Sequence, residues 1–161
     1  MLEENVAVSA PVTSAPPIHR VLVAFDGSPG AWAALHQGIA VAAARHALLT
    51  IAAVVEDPPL WVGLPPFVVP WTRESLRRDA ERRLERLLAA ARDEVPASIS
   101  VCTALLHGRT VRALADLADG GRYDLVVTGP RRAGRRRRCV PGALMARCHA
   151  AVMAVRPSGT A

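Results

Sequence analysis

Val21-Leu22-Val23-Ala24-Phe25-Asp26-Gly27-Ser28-Pro29 is the stretch that decides the fold. Five apolar residues without polar alternation have the length of a strand covered on both faces, and the Asp-Gly-Ser-Pro behind them punctuates a turn that enters a helix. Ser28 is the expected cap, and Pro29 suits the first helical turn, where a missing N–H is no loss. The helix should run through Trp32, Leu35, Ile39 and Ala43 to about His46.

Working outward, residues 48–55 form a second continuous apolar run, again suited to a strand buried on both faces. A proline-laced loop over 56–71 carries Trp61, Phe67 and Trp71. Thr72 is then expected to cap a helix whose Leu76, Ala80, Leu84, Leu87, Leu88 and Ala91 recur at helical spacing, with Pro96 beyond its end. Residues 99–106 read as a third strand, Gly108 as the turn into a helix from Arg109 to about Asp119, and 123–128 as a fourth strand. A long basic loop over 129–141, a short helix over 142–149 and a fifth strand over 151–155 complete the chain.

Strands alternating with helices at these intervals imply an α/β domain: a doubly wound, Rossmann-like, five-stranded parallel sheet with a helix in each crossover. Such sheets take ligands beyond the carboxyl ends of their strands, where the strand order reverses. The loops at 26–29 and 129–142 are therefore the ones to examine.

A length of 161 residues suits one domain, expected over 19–157 between an N-terminal tail at 1–18, expected to be flexible, and a short C-terminal tail at 158–161. Hydrophobic residues at 51% and charged residues at 21% exclude a disordered or fibrous chain, and no window approaches the roughly 20 apolar residues of a membrane span. The opening residues lack the pattern of a secretory signal, and Cys102, Cys139 and Cys148 form no CxxC pair, so a reducing cytoplasm is expected. The net charge is +6, and all 20 basic residues are arginine. Six of them fall within positions 131–138, an anion-seeking stretch with no aromatic residue interleaved, so specific nucleic-acid binding is not expected.

At the two strand-end loops the chain resembles the universal stress protein family. The first strand followed by Asp26-Gly27-Ser28 matches its opening motif, and Asp124-Leu125-Val126-Val127-Thr128 precedes a loop comparable to its nucleotide motif G-x2-G-x9-G-[ST]. Gly129 and Gly142 occupy the first and third glycine positions, whereas Arg132 replaces the second glycine and Ala143 the hydroxyl residue. The resemblance implies an adenine nucleotide α-hydrolase-like fold with strand order 3-2-1-4-5 and a homodimer through the fifth strands. Members with an intact loop bind ATP, with Mg²⁺ accompanying it, and others do not.

Carried onto this chain, the resemblance places Asp26, Gly27, Ser28 and Val54 near adenine and ribose, and Gly129, Arg131, Arg132, Gly142, Ala143 and Leu144 near phosphate. Each position has a plainer reading. Asp26 can cap its own turn. Gly129 either admits phosphate to the backbone or supplies a positive φ. Gly142 is expected to open a helix whose free N–H groups favour an anion, so the missing hydroxyl at Ala143 removes one hydrogen bond, about 0.5–1.5 kcal/mol. The arginines grip phosphate, attract an acidic partner or polyanion, or form a solvated loop. The aromatic residues at 61–71 form a lid, a partner surface or a rim packed on the sheet, and Cys139 is an oxidant-sensing or an idle thiol.

No histidine pair has metal-ligand spacing, and neither GxGxxG, a P-loop nor GxSxG occurs, so catalysis is expected to be absent or limited to slow ATP turnover or autophosphorylation. Two functions follow: a stress-response regulator that binds ATP or a related adenine nucleotide, and a nucleotide-free scaffold whose arginine loop recruits an acidic partner.

Overall fold

The computed structural model describes residues 16–56, 69–130, 132–133 and 138–157. Its elements are β1 (Arg20–Ala24), α1 (Pro29–Arg45), β2 (Leu48–Val55), α2 (Val69–Asp93), β3 (Val101–His107), α3 (Thr110–Gly120), β4 (Leu125–Thr128), β5 (Arg132–Ala133), β6 (Arg138–Cys139), α4 (Val140–Met145) and β7 (Ala151–Ala154). Five strands form one parallel sheet in the order β3-β2-β1-β4-β7, which is the expected 3-2-1-4-5 when β7 is counted as the fifth.

The unbroken apolar runs have the consequence that period-2 geometry demands, since successive side chains must leave opposite faces of the sheet. Val21, Val23 and Phe25 of the first strand and its exit join Leu49, Ile51, Leu125 and Val127 in the core beneath α1 and α2. Leu22, Ala52 and Val126 join Leu114, Ala118, Val140 and Leu144 of α3 and α4 in the core on the other face. A single register row, Thr103-Ile51-Val23-Val127-Met153, crosses the sheet from edge to edge. Thr50, buried among these residues, receives a hydrogen bond from the Tyr123 hydroxyl at 2.9 Å, which satisfies an otherwise costly polar group.

Several boundaries differ from the sequence expectation for local reasons. Helix α2 begins at Val69 rather than at a Thr72 cap, because Pro70 has the fixed φ of a first helical turn. Helix α4 begins at Val140, with Pro141 in its first turn, and ends at Met145. Gly142 therefore sits inside the helix rather than opening it, and the expected extension to 149 does not form. Within the basic loop, Arg132 pairs with Cys139 and Ala133 with Arg138 in an antiparallel ladder that nothing in the composition announces. In α1 the buried stripe passes through Ala31, Leu35 and Ala42, leaving Ala43 exposed. Trp71 is 80% exposed, against the rim-packed reading, and Trp61 and Phe67 lie outside the described residues.

The amino ends of the strands are tied by carboxylates. Asp124 accepts the His19 and Arg20 N–H groups at 2.7 and 2.9 Å, fastening the entry of β1 to that of β4. Asp119, at the end of α3, accepts the His149 N–H at 2.9 Å just before β7. That backbone hydrogen bond holds the Asp119 carboxyl below its ordinary value of 3.8, with burial opposing and the His149 side chain assisting. A depressed carboxyl stabilises the fold above its unfolded pKa, and the contribution is lost as pH falls through the folded value. The His149 amide resonance is accordingly expected to titrate with a midpoint below 3.8; a midpoint at or above that value would contradict the contact. Next to it, burial and then the Asp119 charge push the Cys148 thiol up, and its Sγ donates to the Leu144 carbonyl at 3.2 Å, so this is not an activated thiol.

Candidate functional site

Because the strands are parallel, their carboxyl ends open on one side, and β1 is the point where the order reverses: β2 lies to one side and β4 to the other. The chain leaves β1 through Phe25 and Asp26, then turns sharply at Gly27, whose φ of +77° is the left-handed conformation that glycine adopts without strain. The Asp26 carboxylate accepts the Ser28 N–H at 3.0 Å, and Ser28 Oγ accepts the Ala31 N–H at 3.2 Å, capping α1 as expected. Phe25 packs edge-on against Trp32, with ring centroids 4.9 Å apart.

Across the reversal point, β4 exits through Thr128 and Gly129, both buried. Gly129 does not supply a positive φ. Among the described residues the glycines with positive φ are Gly27 and Gly108, and the group that approaches Gly129 is this chain's own backbone. A Cβ at position 129 would lie 2.5 Å from the Gly30 carbonyl carbon and 3.0 Å from the Ala31 nitrogen. The β4 exit thus rests directly on the first turn of α1, and two segments a hundred residues apart in sequence become adjacent walls.

Between them opens a shallow cleft, about 420 Å³ when the open solvent at its mouth is included. Ala24, Phe25, Asp26 and Ser28 form the β1 side, Ala52 and Val54 the β2 side, Thr128 and Gly129 the β4 side, and Thr110, Leu114 and Val140 close it from α3 and α4. Among these described residues Asp26 is the ionisable one, and the lining combines apolar side chains with the hydroxyls of Ser28, Thr110 and Thr128.

The ten residues expected at a ligand fall into three groups. Asp26, Ser28, Val54 and Gly129 share the cleft. Gly27 turns away from it toward Leu87 of α2, where an added Cβ would come within 2.7 Å of Leu87 Cδ1. Gly142 and Ala143 lie on α4, exposed and half-buried, outside the lining, and Leu144 is wholly buried in the core. Arg131 and the Arg132 side chain lie outside what the structure describes. Thr110, Leu114 and Val140 are absent from the sequence reading. The signal for Thr110 was present, because it follows the Gly108 turn at a third strand's carboxyl end.

The family model for universal stress proteins matches residues 17–156. No curated protein matches the chain. Among solved structures, a universal stress protein from Lactobacillus plantarum is 18% identical over 88% of this chain and 100% of its own, with a TM-score of 0.66. A universal stress protein in complex with cAMP is 25% identical over 88% of this chain and 99% of its own, also with a TM-score of 0.66. An Arabidopsis thaliana family member with AMP bound is 12% identical over 88% and 93%, with a TM-score of 0.60. With the family match running from the entry of the first strand to the exit of the last, the chain belongs to the universal stress protein family.

Proposed function

We propose that the cleft binds an adenine nucleotide, ATP or a related one, between the loops after β1 and β4, and that the protein acts in stress response as a nucleotide-regulated homodimer. The observation that carries the reading is the contact of Gly129 with Gly30 and Ala31, which makes the two loops walls of one cleft at the reversal point. The family structures with cAMP and AMP bound support the ligand class.

In this reading Val54 and Leu114 flank the base, Asp26 accepts from ribose or adenine, and the phosphates lie toward the segment between β4 and α4, which carries Arg131 and Arg132. Mg²⁺ would arrive on the phosphates, with the carboxylate of Asp26 and the hydroxyls of Ser28 and Thr128 as the hard oxygen donors nearby. Binding rather than chemistry is the task. The dimer would form through β7, which ends the sheet with β4 on one side. A cytoplasmic site of action completes the proposal; no described helix is long and apolar enough to cross a membrane.

Acid denaturation of the purified protein should release an adenine nucleotide. For nucleotide-stripped protein, ligand at about a hundredfold over its Kd should add about 2.7 kcal/mol, a rise in Tm of roughly 5–11 °C for a domain of this size. An empty supernatant together with an unmoved Tm would remove the reading in favour of a nucleotide-free scaffold.

A further inference from the structure

The outermost strands of the sheet, β3 and β7, each leave one edge unpaired among the described residues. What each edge offers follows from the ladder on its inner side. The Leu49 N–H donates to the Ser100 carbonyl and the Gly108 N–H to the Val55 carbonyl, so the even-numbered residues of β3 turn their backbone groups toward β2. The N–H and C=O groups of Val101, Thr103, Leu105 and His107 therefore point outward. In β7 the Ala151 and Val155 N–H groups face β4, at 3.0 and 2.9 Å, which leaves Val152 and Ala154 outward. β3 is the larger template.

Native edges are ordinarily blunted by a charge, a proline, a bulge or brevity. β3 has none of these: it runs seven residues, Val101 to His107, in unbroken register with β2, without proline, carboxylate or guanidinium. His107 at its end is matched within the chain by Glu81 of α2, with Nδ1 3.6 Å from Oε1. Neither flanking helix shields the edge, since Thr103 on the α2 face and Cys102 on the α3 face are both exposed.

We propose that β3 is a self-association edge, through which two copies of this chain pair antiparallel about a two-fold axis at Ala104. The same strand serves both sides of such an axis. In that register Val101 stands opposite the partner's His107 and Thr103 opposite the partner's Leu105, and each outward residue exchanges its N–H and C=O with its counterpart. Cys102 stands opposite the partner's Leu106. Ala104 meets the partner's Ala104, small enough for the close approach of a non-hydrogen-bonded pair. No like charges are set face to face, so the side chains do not oppose the match. A second copy is the occupant because the seven residues fill their own register end to end, and pairing covers Thr103 and Cys102 of both copies. The contact is independent of the nucleotide reading and of a dimer through β7, which lies at the other side of the sheet.

Two measurements test this. Mild oxidation of Ala104→Cys should give a covalent dimer linked from position 104 to position 104, because the Cα atoms of that pair would lie about 4.5 Å apart, inside disulfide reach. The native Cys102, about 14 Å from its own copy in this register, should not link to itself. Thr103→Pro removes an N–H that the partner alone uses and keeps every hydrogen bond to β2. Sedimentation equilibrium should show the wild type associating with concentration, and the mass of the assembly falling at least twofold in folded Thr103→Pro. A wild type that stays monomeric would leave the edge to a peptide or to solvent and overturn the proposal. An unchanged mass in folded Thr103→Pro, or no link through position 104, would also overturn it. Should Thr103→Pro fail to fold, the Ala104→Cys link decides alone.

Discussion

Replacing Gly129 with valine is expected to destabilise the fold by about 3 kcal/mol or more and to abolish nucleotide-induced stabilisation. The new Cβ would stand 2.5 Å from the Gly30 carbonyl carbon and 2.6 Å from its oxygen, well inside van der Waals contact. Both are backbone atoms in the first turn of α1, fixed by the Ser28 cap and by the Trp32 N–H to Ser28 carbonyl bond of 3.0 Å. Neither can rotate aside as a side-chain end would, so the exit of β4 and the start of α1 must separate. Separation moves two walls of the cleft at once. For a domain of this size the loss corresponds to a fall in Tm of roughly 6–12 °C. Thermal melts with and without AMP check both parts: a Tm close to the wild type would show that the loops do not press together, and a retained AMP shift would show that the ligand sits elsewhere.

Leu144→Ala should lower stability by about 2–5 kcal/mol, yet leave the folded protein able to bind nucleotide. Leu144 is 0% exposed and belongs to the core formed by Leu22, Val126, Leu114 and Val140 beneath α3 and α4. Truncation there removes buried apolar surface and leaves a cavity in a helix of only six residues, which has few other contacts to redistribute the loss. Urea unfolding measures the first part and AMP titration below the unfolding transition the second. A stability near that of the wild type would place Leu144 at a ligand instead of in the core, as the motif alignment alone suggests.

The contrast between these two positions shows what the sequence discloses. Residues 21–25, 48–55 and 125–128 declare their strands, and that both faces of the sheet are covered, because unbroken apolar runs are unstable in any half-exposed setting. Asp26 to Pro29 announce turn, cap and helix through purely local chemistry, and the strand order follows from the family resemblance. Helix α4 starts two residues before Gly142 because Pro141 begins helices as readily as it interrupts loops, and the Leu144 side chain packs in the core. Gly129 is legible as a strand exit, but its reason for being glycine lies in the approach of Gly30 and Ala31, and no local pattern encodes it. The hydrogen bond that the Thr110 hydroxyl donates to Glu56 is illegible for the same reason: the two meet only after β2 and β3 have paired.

The central claim, that the loops after β1 and β4 enclose a single adenine-nucleotide site, is tested most directly by photolabelling with an 8-azido adenine nucleotide and identifying the modified peptides. Labelling should fall on segments that line the cleft, around Val54, Thr110 to Leu114 or Phe25 to Ser28, and unmodified AMP should suppress it. Labelling that AMP cannot compete away, or that falls at the amino ends of the strands around Tyr123 and His149, would contradict it.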